Sequence, residues 1–308
     1  MAAFRTSVSS FGSLLSDISS CRITIRKKIY LGLLINDRLQ LARGDESQTI
    51  ATSPSSGRYM PLYMKSLLFT TLGLFLTIAL FAQPSFDTWE AESKTNKRLL
   101  PRYGLLPKTQ EEIKSDSDYI KQMMALPQFK TRREASNHMI GLGFQYYYRP
   151  DFKTAMYRFN QAYLLDPTNT DIFWGYGAIY MAFGRYDLAK DQYDEGLSID
   201  STNTHLLTDL ATYYMEQFYL AIQMPKNDII KDPKAQARQF MDSAIQYLNK
   251  SYSLDPKNVN TVYKLSICYW NIEDCNNAWK YYDEAVELGG RPVTEEYTKD
   301  LKKRCKRK

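Results

Sequence analysis

A six-residue joint recurs in register along this chain and constrains its fold more than any other feature. LLDPTN, SIDSTN and SLDPKN end at Asn169, Asn203 and Asn258, each between apolar, periodic stretches. The first two joints lie 34 residues apart and the third follows after 55. A fixed period of this length marks stacked supersecondary units, none of which buries its apolar face alone. The proline or serine of each joint ends the preceding helix, and its asparagine offers a cap to the next. The pattern predicts an all-α protein.

Small and large residues alternate at fixed places within each unit. In residues 136–169, Leu142, Gly143 and Tyr146 fall on a first helix (A), Ala155, Phe159 and Ala162 on a second (B), and Pro167 closes the hairpin. Residues 170–203 repeat the register with Phe173, Tyr176, Gly177, Tyr180, Ala189, Tyr193 and Gly196, with Ser201 at the proline site. The third unit starts at Thr204 with Leu207, Leu210, Ala211 and Tyr214, but its helix B residues Ala244, Leu248, Ser251 and Pro256 arrive 21 residues late. An insertion therefore enlarges this hairpin, with a loop at 224–232 and Asp232-Pro233 as N-cap and first helical residue. The fourth unit, 259–292, carries Val262, Leu265, Ser266, Tyr269, Ala278, Tyr282 and Ala285, with Gly290 at the proline site. Gly143, Gly177, Ala155 and Ala189 remove bulk where helices approach and aromatic rings fill the space beside them, which accounts for 24 tyrosines. Val293 to Lys306 reads as a polar helix capping the open end.

These residues resemble the tetratricopeptide-repeat (TPR) superfamily over 136–292. The resemblance implies an α-α superhelix of four hairpins with a C-terminal capping helix, and a scaffold that holds a protein or peptide rather than an enzyme. It also implies a concave face lined by helix A. The anchors expected there are Phe144, Tyr147 and Tyr148, then Trp174 and Met181, then His205 and Met215, then Tyr263, Ile267 and Trp270. Trp and Tyr suit this role because they offer large area with few rotamers to freeze. The competing reading is that these rings pack against the inserted hairpin or the N-terminal helix and fill the groove internally. The family's clamp for a C-terminal carboxylate is missing, since Ile140, Phe144 and Gly175 occupy its first sites. An apolar or aromatic segment is the expected ligand. The alternative function is an architectural subunit of a larger envelope complex, contacting it through the enlarged hairpin at Phe218, Tyr219, Ile229 and Ile230.

From Leu67 to Ala82 the chain has sixteen residues without a charge, preceded by Met64-Lys65 and followed by Gln83. That is shorter than the roughly 18 to 20 residues that cross a bilayer and close to a secretory h-region. Residues 64–83 thus read as a signal peptide, with translation starting at Met64 and residues 1–63 either disordered or not part of the protein. Alternatively 67–82 stays as an inner-membrane anchor with the repeats outside. Either way the repeats lie in the periplasm or cell envelope. The run ending LFAQ followed by such repeats is similar to exported TPR proteins of Bacteroidetes-type bacteria. Residues 84–135 read as a linker plus one helix: Phe86 to Lys108 extended, then a capping box at Thr109 and Glu112 opening a helix to about Leu126 that packs on the first repeat.

A net charge of +6 is modest and comes partly from Lys302, Lys303, Arg304, Lys306, Arg307 and Lys308, so no nucleic-acid partner is expected. That tail is either a solvated end complementing its own helix dipole or a contact for anionic lipid. No cofactor or metal is expected, because Cys21, Cys268, Cys275 and Cys305 form no CxxC pair and only His138 and His205 are available beside them. Cys268 and Cys275 are expected as separate thiols.

Overall fold

The computed structural model describes residues 85–224, 232–289 and 292–307. The readings made for 1–63, for 64–83 and for the tip of the inserted loop, with Ile229 and Ile230, lie outside these residues. Among the described residues there is no strand. The helices are α1 (Phe86–Ser93), α2 (Gln110–Met124), α3 (Arg132–Tyr147), α4 (Phe152–Leu165), α5 (Asp171–Ala182), α6 (Tyr186–Ile199), α7 (Thr204–Ala221), α8 (Pro233–Leu254), α9 (Val259–Asn271), α10 (Cys275–Glu287) and α11 (Glu295–Arg304). From α3 to α10 they pack as successive antiparallel hairpins, the solenoid that the period demands. The third pair, α7 and α8, is lengthened to 18 and 22 residues, against 12 and 14 in α5 and α6.

Hairpins close where glycine meets an aromatic ring. A methyl group at Gly143 would overlap the Phe159 ring and one at Gly177 would overlap Tyr193, so α3 approaches α4, and α5 approaches α6, over a missing side chain. Ala155, Phe159, Ala189, Ala244 and Ala278 have no exposed surface and Tyr180 is buried. Leu142 and Tyr146 are half-buried, whereas Pro167 and Pro256 are exposed and act only as helix stops.

The joints do more than end helices. Asp166, Asp200 and Asp255 each accept the N–H two residues on, at 3.0, 2.9 and 3.2 Å, forming the same tight turn three times. Asn203 caps α7 by accepting from Leu206 N–H at 3.1 Å, and its Nδ2 reaches back to Thr170 and Asp171 at the start of α5. Asn169 makes the equivalent ties to Ser136 and Asn137. Each of these two joint asparagines therefore staples one helix A to the next.

Within the second and fourth hairpins the residue two places after helix A is left-handed: Gly184 at φ 71° and Glu273 at φ 66°. Glycine adopts that conformation freely and glutamate does not. Glu273→Gly should stabilise the fourth hairpin by about 1 kcal/mol in chemical denaturation.

The expectation for residues 84–135 needs correction, because Phe86 to Lys108 is not extended. Ser85 caps α1 by accepting from Thr88 N–H, a short turn follows at Lys97–Leu99, and Pro101–Leu105 forms a left-handed turn. A helix this short is unstable alone, and burial of Trp89 and Leu99 against the repeats supplies what its own hydrogen bonds do not. The capping box at Thr109 and Glu112 is present, and α2 packs on α3 and α4. A second capping box, Thr131 with Glu134, starts α3 at Arg132.

Cys268 and Cys275 are not joined to each other, as expected, but Cys275 is not a free thiol. Cys275, at the start of α10, is bonded to Cys305 at the end of α11, with Cα atoms 5.3 Å apart, while Cys268 is a buried thiol whose pKa burial raises. The bond pins the capping helix onto the last hairpin, where Tyr297, Leu301 and Cys305 are buried.

Candidate functional site

Helix A of each unit (α3, α5, α7, α9) contributes to one row of side chains, because residues three to four apart on a helix share a face. At its centre Trp174 brings three units together. Its ring lies 4.0 Å from that of Phe144 in the preceding unit and stacks on His205 of the next, at 4.3 Å and 10° between planes. The indole Nε1 donates to Asp209 Oδ2 at 2.8 Å, and Asp209 also faces Lys264 Nζ at 3.4 Å. Asp171 Oδ1 receives Asn203 Nδ2 at 2.8 Å and lies 3.1 Å from His205 Nδ1.

This polar frame sets the charges. The bond to Asp171 raises the His205 pKa above its usual value. Burial is the largest influence on the Asp171 carboxyl and works to raise it, but the hydrogen bond and charge of His205, the hydrogen bond from Asn203 and the charge of Arg133 together leave the carboxyl below its usual range. His205 is the exposed member of the row, so an imidazole held by Asp171 stands at the surface over a half-buried indole.

Several expected groove residues do not reach the surface. Tyr263, Ile267 and Met215 are buried core, as are Phe144 and Tyr147. Tyr263 lies beneath α11, 5.4 Å from the ring of Tyr297, and Phe144 packs on Phe159 at 5.2 Å. Trp270 is half-buried under the same capping helix, with the Arg304 guanidinium 4.3 Å over its ring. Periodicity tells which side of a helix a residue occupies, and here other helices cover that side. Tyr148, Trp174, Met181 and Trp270 remain half-exposed. The rings of Phe144, Tyr147 and Tyr263 are packed internally, as in the competing expectation, but Tyr263 is covered by the capping helix rather than by the inserted hairpin or the N-terminal helix, and Met215 and Ile267 are buried as well.

Asp209 and Lys264 were not among the expected site residues, although both stand one helical step from sites that were. Glu216 of α7 is buried and accepts from the Tyr186 hydroxyl, 3.3 Å away, and burial pushes its carboxyl pKa up to about 7. The basic tail is partly folded back: Arg304 covers Trp270, while Arg307 pairs with Asp283 and lies 4.0 Å over Trp279. Among the described residues no group of three or more His, Cys, Asp or Glu is arranged to hold a metal ion, and no helix is long and apolar enough to cross a membrane.

The fold and this row define an all-helical repeat protein. Residues 170–203, which are α5, α6 and their closing joint, match the tetratricopeptide-repeat family model. Solved structures similar to the chain include a thermophilic TPR protein of Thermus thermophilus, at 14% identity over 54% of this chain and 82% of that one, with a TM-score of 0.44. They also include MamA, at 13% identity over 61% of this chain and 98% of that one, with a TM-score of 0.36. PilF of Pseudomonas aeruginosa aligns at 19% identity over 55% of this chain and 88% of that one, with a TM-score of 0.30. No curated protein matches the chain.

Proposed function

We propose that this chain is an exported scaffold of the bacterial cell envelope that holds a protein or peptide partner along the helix A row. The carrying observation is the ladder Phe144–Trp174–His205, which spans three units and is fixed by Asp171 and Asp209. Its rotamers are frozen before any partner arrives, and binding to such a surface costs little side-chain entropy. A segment presenting an aromatic or aliphatic side chain against Tyr148, Met181 and the exposed edge of Trp174, and an acceptor for His205, fits this chemistry. The Cys275–Cys305 bond supports the export part of the proposal, since structural disulfides persist in oxidising compartments. The uncharged run at 67–82, a secretion signal or an anchor, agrees with that address.

His205 is the informative probe, because Trp174 and Trp270 also hold the fold together and their removal would confuse binding with stability. A photo-crosslinking residue at 205 should give a discrete partner adduct in intact cells, and one at Leu254, at the exposed end of α8, should give none. His205→Ala should lower capture of that partner about tenfold while leaving the melting profile in place. Adducts from Leu220 or Met224, exposed near the end of the long hairpin, with none from 205, would instead favour the architectural subunit.

A further inference from the structure

The opposite, helix B side of the solenoid carries a second site, already filled by the chain itself. Asn160 of α4 is fully buried, and its amide is devoted to the main chain of residues 98–102. Its Nδ2 donates to the carbonyls of Arg98 and Leu100 at 2.9 and 3.0 Å, and its Oδ1 accepts the Arg102 N–H at 2.8 Å. The buried Tyr176 hydroxyl donates to that same Oδ1 at 2.7 Å and so fixes the amide's orientation. Contacts of this kind recognise a polypeptide backbone, and side-chain pockets then supply selectivity.

Three side chains of the segment use such pockets. Trp89 packs on Phe183 with ring centroids 5.1 Å apart, Leu99 is completely enclosed, and Arg102 pairs with both oxygens of Glu195 on α6, Nη2 to Oε2 at 2.7 Å. Arg102, Tyr103 and Leu105 hold φ of 54°, 59° and 53°, a left-handed run that residues with a side chain avoid. The groove imposes this conformation, since the segment has no preference for it. Leu105 and Leu106 then leave the groove exposed and lead to the Thr109 cap.

We propose that this helix B groove is a peptide-binding site that the chain fills in cis with residues 85–106. A partner segment with a leucine three residues before an arginine, able to take the left-handed turn, competes for it. The solenoid would then have two docking faces, one of them guarded by its own strap.

The test uses the full chain with a protease site placed in the exposed stretch 106–107, and a fluorescent peptide of residues 85–106 followed by anisotropy. Cutting should raise the peptide's apparent affinity at least about tenfold, because the cis copy loses its effective concentration. Glu195→Arg should weaken binding to the cut chain about tenfold, and a peptide carrying Arg102→Glu should recover it. The proposal is overturned if the cut chain keeps its helical content and takes up no peptide, if Glu195→Arg has no effect, or if cutting unfolds the chain, which would make the strap part of the core.

Discussion

Replacing both bridged cysteines, Cys275→Ser with Cys305→Ser, should cost about 3–4 kcal/mol. The bond closes a loop of sequence separation 30, and the chain-entropy cost of leaving such a loop open has that size. A reductant should do the same to the parent chain and nothing to the double variant. The damage should be local, because each unit of a solenoid contacts only its neighbours. Amide exchange should quicken in α9, α10 and α11 while α3 to α6 keep their protection. Without the bond α11 is held by Tyr297 and Leu301, by the Arg304 contact with Trp270, and by Trp279 Nε1 donating to the Cys305 carbonyl at 2.7 Å. Equal melting in oxidised and reduced samples would show that these contacts suffice and that the bridge contributes nothing to stability.

Glu216→Gln should stabilise the protein at pH 8 by up to about 3 kcal/mol and leave it unchanged near pH 4. Burial raises the folded carboxyl from the usual 4.5 to about 7, so the folded state holds its proton more tightly than the unfolded chain does. The protein is therefore most stable, as far as this group is concerned, below pH 4.5, and it loses that stability as pH rises towards 7. Each tenfold difference in proton affinity is worth about 1.4 kcal/mol, which sets the figure. The Tyr186 hydrogen bond opposes the shift without cancelling it. Urea unfolding of both forms at the two pH values checks this. A constant difference between them across that range would mean that the carboxyl titrates normally.

The solenoid was legible in the sequence because its determinants are local and periodic. Gly143 faces Phe159, and Gly177 faces Tyr193, at the same offset in successive units, and each pairing depends only on hairpin register. The 21-residue delay before Ala244 was legible for the same reason, and it appears as the lengthened α7 and α8. The candidate site was only partly legible. Register put Trp174 and His205 in successive units, where their rings stack, but it carries no information on what lies above Tyr263 or Ile267. Tyr263 lies under α11, which the bond between Cys275 and Cys305 helps to pin in place.

The strap was the least legible feature. No periodicity marks α1, and the left-handed turn at Arg102 has no local cause. Its determinants are Asn160, Tyr176 and Glu195, which lie 58, 74 and 93 residues further along the chain. The sequence by itself thus determined the repeat helices, their pairing, the insertion and the capping helix, because helix period, small-to-large alternation and joint chemistry act over at most one repeat. Tertiary structure alone decided which aromatic rings stay at the surface, which cysteines join, and what fills the helix B groove. Those outcomes depend on desolvation and contact between segments many residues apart, and a linear pattern does not encode them.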